Sequence, residues 1–209
     1  MRARIDHTTT SGTFSLDGET HAVENNVWVL GNDRECVVID APHDVAAIRR
    51  LIGGRRVRAI LATHAHDDHV QVAPKLAEVV GAPVFLHSDD LPLWHLTHPS
   101  HRPDHELTDR QMLTVGRVDL QVLHTPGHTP GAVCLYCPDR GVVFTGDTLF
   151  AGGPGATGRS YSDFGVITQS IRDRLLALPE RTAVHPGHGP SATIGEVKPH
   201  LDEWIARGF

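Results

Sequence analysis

The sequence of 209 residues is 40% hydrophobic and 21% charged, a balance typical of a globular protein with one domain or two tightly fused halves. Its formal net charge of −6 comes without a basic stripe, which argues against a nucleic-acid partner. No run approaches the roughly 18 apolar residues of a membrane span, and the first residues lack the apolar segment of a signal peptide, so we expect a cytoplasmic protein without membrane contacts.

The first half, about residues 1–110, alternates predicted strands and helices. The predicted strands cover residues 13–16, 26–30, 36–40, 57–62 and 83–87, and the predicted helices cover residues 43–52 and 70–80. The β-α-β-α-β order from residue 36 onward implies parallel strands with helices on the outer face. Residues 88–109 are polar and rich in proline and histidine, so we interpret them as a surface loop or lid beside a site, with a short helix at 89–96.

The second half, about residues 111–209, repeats this theme, and we treat residues 1–209 as a single domain. The predicted strands cover residues 112–115, 118–123, 132–136, 142–145 and 182–185, and the predicted helices cover residues 162–178 and 195–207. Ser162 is the expected N-cap of the first of these helices. The glycine-rich stretch 152–159 lacks the spacing of a phosphate-binding P-loop.

Residues 63–69, with the sequence Thr-His-Ala-His-Asp-Asp-His, place three imidazoles and two carboxylates directly after a predicted strand. Both groups are ligands that zinc, iron and manganese accept. His64 and His66 face the same way in an extended chain, whereas Asp68 and His69 follow a turn, so one loop can serve two metal ions. Because the chain has 16 histidines, the alternative is a solvated histidine-rich loop or an adventitious metal site.

Further candidate ligands lie just past the ends of other predicted strands. His128, Asp147 and His188 share this placement with His64, and neighbouring strand ends converge in space on a rigid sheet. Proline and glycine on both sides of His128 and His188 stiffen the loops that carry them. We therefore expect these side chains to meet at one edge of the fold.

Three features have competing interpretations. Asp40 either caps the helix predicted at 43–52 or orients a metal-bound histidine. Cys134 and Cys137 have the C-x-x-C spacing of redox or zinc sites, but residues three apart on a strand face opposite ways, so we interpret both as packing residues. The histidines from His87 to His105 form either a third metal site or, as we favour, a solvated loop; they are His87, His95, His98, His101 and His105.

Four segments together resemble the metallo-β-lactamase superfamily, and in particular its small glyoxalase II-like hydrolases. They are residues 63–69, Thr-Pro-Gly-His-Thr-Pro-Gly at 125–131, Phe-Thr-Gly-Asp-Thr-Leu-Phe at 144–150 and Pro-Gly-His-Gly-Pro at 186–190. The resemblance runs over nearly the whole chain. It implies an α/β fold of the αββα type, in which two mixed β-sheets pack face to face with helices outside and metals at one edge.

The resemblance also implies two divalent metal ions, zinc first, with iron or manganese as alternatives. The first ion would be held by His64, His66 and His128, the second by Asp68, His69 and His188, and both by Asp147. The implied activity is hydrolysis of a thioester by a hydroxide that bridges the metals, oriented by Asp68, with a metal stabilising the oxyanion.

The chain departs from glyoxalase II in two places, and these concern substrate recognition. It ends soon after the last ligand, without the helical extension that grips glutathione, and its loop between Asp147 and Arg159 is longer. Arg159 and Tyr161 are therefore candidates for substrate contact, and we expect the loops 88–109 and 152–162 to bind the thiol carrier. The chain has 17 Arg and 2 Lys, a bias typical of GC-rich bacteria, which predicts a mycothiol thioester in place of S-lactoylglutathione.

Other functions remain as alternatives. A persulfide dioxygenase would use a single iron held by two His and one Asp, and another hydrolase of the family would cleave an ester or a lactone. A β-lactamase is disfavoured by the missing signal peptide and by Asp147, and a non-enzymatic metal-binding module by the number of convergent ligands.

Overall fold

The computed structural model describes residues 3–208, which form two six-stranded β-sheets packed face to face with helices on both outer surfaces. This arrangement confirms the αββα sandwich. The first sheet takes its strands from residues 4–106 and the second from residues 112–193. The description of the chain as a single domain stays a prediction.

The first sheet has the strand order β1-β2-β3-β4-β5-β6. Its strands are β1 (Arg4–Leu16), β2 (Glu19–Gly31), β3 (Glu35–Ile39), β4 (Arg56–Leu61), β5 (Val84–Leu86) and β6 (His105–Glu106). The first three pair antiparallel, and β3 through β6 pair parallel, as the β-α-β-α-β pattern predicted. The β1–β2 hairpin is much longer than predicted, because most of its residues are polar and at least partly exposed and give no hydrophobic signal.

The second sheet closes the sandwich. In chain order the strands are β7 (Met112–Val115), β8 (Val118–His124), β9 (Val133–Cys137), β10 (Val142–Gly146), the small hairpin β11 (Leu149–Phe150) and β12 (Gly153–Pro154), then β13 (Ala183–Pro186) and β14 (Ala192–Thr193). The sheet order is β14-β13-β10-β9-β8-β7, and β11 with β12 forms a separate ribbon. Only the β10–β13 pair among these described strands is parallel.

Helices cover the two outer faces. On the first sheet they are α1 (Val45–Ile52), α2 (Asp67–Val70), α3 (Ala73–Val80) and α4 (Leu91–Thr97), and on the second α5 (Phe164–Ser170), α6 (Ile194–Val197) and α7 (Leu201–Arg207). Throughout residues 3–208, each helix is too short or too polar to cross a lipid bilayer.

Several helix boundaries differ from the prediction for local reasons. The helix predicted at 43–52 begins at Val45, because the Asp44 carboxylate accepts hydrogen bonds from the first-turn N–H groups. The helix predicted at 70–80 begins at Ala73, with Pro74 in its first turn, where proline is tolerated, and the separate turn α2 ends at Val70. Asp163, and not Ser162, caps α5, which continues as a π-helical turn over Ile171–Leu175.

Three apolar layers hold the strand ends in place. Between the sheets, Trp28, Leu30, Leu61, Leu120 and Phe144 are among the buried residues. Fully burying such side chains contributes roughly 1.5–3 kcal/mol each. Two further layers lie between each sheet and its helices.

The two cysteines of the C-x-x-C pattern lie in different layers. Cys134 packs toward the helices of the second sheet, and Cys137 packs between the sheets. Both are free thiols, and burial raises the pKa of Cys134 to about 11. This confirms that the two side chains point to opposite faces of β9 and do not meet.

Candidate metal centre and substrate cavity

The loop after β4 holds two pairs of candidate ligands in different backbone conformations. His64 and His66 lie in extended chain, with His66 at φ −64° and ψ 146°, and Asp68 and His69 lie on the single turn of α2. All four are buried. The change from extended to helical backbone therefore turns the second pair toward a different point, as the spacing predicted.

The structure brings together all seven side chains that were predicted to be metal ligands. They are His64, His66, Asp68, His69, His128, Asp147 and His188. His66 Nδ1 lies 3.1 Å from His64 Nε2 and 3.0 Å from His128 Nε2. A second group forms where His69 Nε2 lies 3.2 Å from His188 Nε2.

Asp147, directly after β10, lies between these two groups. Its Oδ2 is 3.6 Å from His128 Nε2 and 3.3 Å from His188 Nε2, and its Oδ1 is 3.4 Å from His69 Nε2. A carboxylate in this position faces both groups of nitrogens, which is the geometry that a shared ligand requires.

Oxygen atoms outside the cluster fix which nitrogen of four imidazoles points inward. The contacts are His64 Nδ1 to Thr63 Oγ1 (3.1 Å), His69 Nδ1 to Asp40 Oδ2 (2.9 Å), His128 Nδ1 to the Ala156 carbonyl (2.8 Å) and His188 Nδ1 to the Glu24 carbonyl (2.7 Å). Since these oxygens accept, each Nδ1 carries a hydrogen, so that Nε2 offers its lone pair to a metal ion when the ring is neutral.

Asp40 contacts the cluster and not the helix. Its carboxylate accepts from the Thr63 N–H at 2.7 Å, the Thr63 hydroxyl at 2.9 Å and His69 Nδ1 at 2.9 Å, whereas Asp44 caps α1. Asp40 has a positive φ of 61°, a conformation that costs a non-glycine residue about 1–3 kcal/mol. The three hydrogen bonds hold it there, which agrees with the interpretation of Asp40 as a residue that orients a histidine.

Charges within the cluster shift its titration strongly. Burial would lower the pKa of His69, but Asp147, Asp68 and Asp40 outweigh burial and raise it well above the ordinary value. Burial lowers the pKa of His188, but the neighbouring Asp147 carboxylate outweighs burial and raises this pKa to about 10. In the metal-free protein, protons on these histidines balance the buried carboxylates, as a cation would.

The first group of histidines is electrically different. Burial, followed by the neighbouring imidazoles, lowers the pKa of His64 well below the ordinary value, and burial lowers that of His66 and His128. These three rings are therefore neutral at pH 7, the form in which imidazole binds a metal.

The donor set fits divalent metal ions. His66 Nδ1 faces two lone pairs but can carry at most one hydrogen, and Asp147 Oδ1 is buried without a hydrogen-bond partner in the described structure. Buried lone pairs without donors are unfavourable, and a cation satisfies them. Histidine and aspartate together suit zinc, iron and manganese.

A cavity of about 330 Å³ opens over the cluster. Its floor includes His66, Asp68, His128, Asp147 and His188. Its walls are Phe14, His21 and Val23 from the β1–β2 hairpin, then Phe150, Ala156, Arg159, Ser160 and Ser162. The walls combine four apolar and four polar residues, but most of the surface that faces the cavity is apolar, with a guanidinium at one side.

Arg159 has a fixed place in this wall. Its guanidinium carbon lies 5.0 Å from the centre of the Phe14 ring, and its Nη2 lies 3.1 Å from His21 Nε2 and 3.6 Å from Glu19 Oε2. Its Nη1 is buried and has no hydrogen-bond partner within residues 3–208. The expected closeness of Arg159 to the site is thus observed, whereas Tyr161 is 46% exposed and does not line the cavity.

The interpretation of residues 88–109 as a lid that binds the carrier is wrong. None of them lines the cavity, because α4 and β6 fold this segment against the first sheet beside β5. Arg102 lines a different depression, and the Arg110 side chain is 80% exposed. Within the described chain, four of the five histidines of the possible third metal site (His95, His98, His101 and His105) belong to no group of three metal-ligating side chains, whereas His87 forms one with Asp89 and His124.

Three buried or half-buried polar residues near the cluster were not predicted from the sequence. Asp90 accepts hydrogen bonds from the Ala65 N–H (2.9 Å), the Thr129 hydroxyl (2.8 Å) and the Gly131 N–H (2.6 Å), and so connects the two ligand loops. Asn25 donates a hydrogen bond to Asp68 at 2.9 Å, and His43 Nε2 lies 2.9 Å from Asn25 Oδ1. An acidic residue before a helix and an asparagine in a strand carry no sequence signal for such roles.

Comparison with known proteins places these features in a family. The model of the metallo-beta-lactamase superfamily matches residues 22–191. The probable metallo-hydrolase YqgX of Bacillus subtilis is 32% identical over 186 residues, covering 82% of this chain and 88% of its own. The hydroxyacylglutathione hydrolase GloC of Haemophilus influenzae is 32% identical over 155 residues, covering 68% of this chain and 73% of its own.

Solved structures agree with these matches. The B3 metallo-β-lactamase BLEG-1 superposes with a TM-score of 0.76 at 34% identity, covering 92% of this chain and 98% of its own. A di-iron-bound form of TTHA1623 superposes with a TM-score of 0.74 at 33% identity, covering 90% and 96%. From the matched family model, the relatives and the shared fold, we conclude that this chain belongs to the metallo-β-lactamase superfamily.

Proposed function

We propose that the protein is a metal-dependent hydrolase of thioesters, similar in activity to glyoxalase II. The observation that carries the proposal is the convergence of seven histidine and aspartate side chains on the floor of a mainly apolar cavity. The name of GloC, a hydroxyacylglutathione hydrolase, supports a thioester as the substrate class.

Two divalent metal ions would complete the centre. The first would be held by His64, His66 and His128, the second by Asp68, His69 and His188, and Asp147 would contact both. When bound, such ions lower the pKa of a water molecule to near 7 and polarise a carbonyl oxygen. We propose zinc, with iron as the principal alternative because TTHA1623 has been crystallised with two iron ions.

The protein's own groups would bind and orient the reactants. Asp68 borders the cavity, and its carboxylate can accept a hydrogen bond from the attacking oxygen and hold it toward the thioester carbonyl. Phe14, Val23 and Phe150 supply an apolar wall that excludes water from the reacting atoms.

The unpartnered Nη1 of Arg159 is the contact we assign to an anionic group of the substrate, such as a carboxylate of the thiol carrier. Two loops, 88–109 and 152–162, were predicted to bind the thiol carrier. Of these, only the 152–162 segment lines the cavity. A preference for a mycothiol thioester would use Arg159 as a donor to the sugar hydroxyl groups, and it otherwise rests on the arginine bias of the chain.

The test is a substrate panel with metal-free and zinc- or iron-loaded protein. S-lactoylglutathione, an S-acyl mycothiol, a lactone and a β-lactam are compared by kcat/KM, with released thiol as the thioester readout. We expect thioester cleavage only with metal and a higher kcat/KM for the mycothiol derivative. Faster turnover of the β-lactam, whose inclusion follows from the likeness to BLEG-1, would replace the thioester assignment. Oxygen uptake with a glutathione persulfide, without thioester cleavage, would establish the dioxygenase alternative.

A further inference from the structure

Asn25, on β2, lies among the side chains proposed to hold the second metal ion. Its Nδ2 is 2.9 Å from Asp68 Oδ2, 3.3 Å from His69 Nε2 and 3.4 Å from His188 Nε2. The residue is 0% exposed. No water therefore replaces these contacts from the solvent side.

Of the three groups that face Nδ2, the Asp68 carboxylate always accepts its hydrogen bond. The Nε2 atoms of His69 and His188 can accept only when those rings are neutral, because their Nδ1 atoms already donate to Asp40 and to the Glu24 carbonyl. The shortest contact is to Asp68, and a hydrogen bond to a carboxylate is the strongest of the three. The amide of Asn25 thus fixes the direction of the Asp68 carboxylate.

A second layer fixes Asn25 itself. His43 Nε2 lies 2.9 Å from Asn25 Oδ1, and because an amide oxygen only accepts, the imidazole donates. His43 Nδ1 lies 3.1 Å from Gln71 Oε1. The ring packs directly on Gly12, where an added Cβ would lie 2.2 Å from His43 Nδ1. The ring keeps this position only because residue 12 has no side chain.

We propose, on the basis of the metal centre proposed above, that Asn25 is a positioning residue of the second metal site and that His43 and Gly12 keep its amide nitrogen directed at Asp68. Without the amide, Asp68 loses a buried donor and is free to rotate. Loss of such an outer contact lowers metal affinity by about 10- to 100-fold. The first site, made of three histidines that Asn25 does not contact, keeps its affinity.

The experiment is a chelator-competition titration of metal-free protein with zinc, which yields separate affinities for the tighter and weaker sites. Asn25→Ala is expected to weaken one of the two zinc affinities by about 10- to 100-fold and leave the other unchanged. Gly12→Ala, which displaces His43 but keeps Asn25, is expected to act in the same direction with a smaller effect. His43→Gln, which retains an N–H donor, is expected to bind zinc more tightly than His43→Leu.

The matched control is Asn32→Ala. Asn32 is a buried asparagine whose side chain accepts hydrogen bonds from the N–H groups of Arg34 and Glu35, away from the centre. Its loss lowers the free energy of unfolding but leaves both zinc affinities as in the parent protein. If Asn25→Ala does not fold, the Gly12→Ala and His43 variants decide the question.

The outcomes separate this inference from the proposed function. A parent protein that binds two zinc ions, with Asn25→Ala doing so equally well, overturns the role of Asn25 and leaves the metal centre intact. Equal weakening of both sites in Asn25→Ala also overturns it, because that is the effect of a general structural change. A parent protein that binds only one zinc ion instead overturns the binuclear centre.

Discussion

The substitution Asp40→Asn tests whether an outer carboxylate determines which nitrogen of His69 faces the metal centre. Asp40 Oδ1 accepts from the Thr63 N–H, while Oδ2 accepts from the Thr63 hydroxyl and from His69 Nδ1. Asparagine keeps one oxygen for the backbone N–H and places an NH₂ group opposite His69 Nδ1. Asparagine also tolerates the positive φ of 61°, so the backbone is preserved.

The expected loss of zinc affinity follows from two hydrogen-bond donors that face each other, the NH₂ group of the new asparagine and the N–H of His69 Nδ1. Either the His69 hydrogen stays on Nδ1 and a buried N–H remains unsatisfied, or it moves to Nε2 and blocks the lone pair that the metal requires. Leaving a buried donor unsatisfied costs about 1–3 kcal/mol. That cost corresponds to about a 5- to 160-fold loss of affinity at the site containing His69.

The assay is chelator competition with zinc, combined with ¹⁵N NMR of the histidine rings in the zinc-loaded protein, where the ring of His69 is neutral. Asp44→Asn is the control, because asparagine also caps helices and Asp44 contacts only the first turn of α1. We expect weaker zinc binding for Asp40→Asn and parent-like binding for Asp44→Asn. Parent-like zinc affinity in Asp40→Asn, with the His69 hydrogen still on Nδ1, would refute the reasoning.

Elemental analysis should find about two metal ions per chain, and Asp147→Ala should lose more metal and activity than His188→Ala; equal, mild losses would mean that Asp147 is not shared. Because the pKa of His188 in the metal-free protein is raised from 6.5 to about 10, its stabilising ion pair is fully present below pH 6.5 and is lost as pH rises through 10, which thermal melts of chelated protein will measure. Metal loading displaces this proton, so zinc affinity should increase from pH 6 to pH 8. Arg159→Met should raise KM roughly tenfold for a thioester whose thiol carrier bears a carboxylate and leave kcat nearly unchanged; an unchanged KM would exclude the anion contact. Cys134→Ser and Cys137→Ser should each keep turnover within a few fold, as a steady-state assay will show.

The sequence was most informative where a ligand follows a strand end in a distinctive local pattern. His64, His66, Asp68 and His69 lie within six residues, and proline and glycine mark the loops of His128 and His188. The structure brings all of these side chains together. Their roles as ligands stay predictions until metal is measured.

Residues defined by contacts distant in sequence could not be predicted. Asn25 meets Asp68 across 43 residues, and Asp90 meets Gly131 across 41, so no local pattern reveals either contact. The wrong interpretation of residues 88–109 as a lid over the site has the same cause. The composition of residues 88–109 indicates a surface segment, but the buried Trp94 and Leu107 decide which surface it covers.

The distribution of the ligands along the chain has a consequence for how the centre is made during protein synthesis. Four of the seven nominated ligands are translated by residue 69, and His188, which lies against His69, follows 119 residues later. At about 5–20 residues per second, the ribosome needs roughly 6–24 s to produce this interval. Throughout that time the loop at 63–69 is an incomplete set of candidate ligands, because His188 is still missing. With the metal centre proposed above, the nascent chain would bind metal weakly, and the selection of one metal over another would belong to the completed fold after β13 has paired with β10.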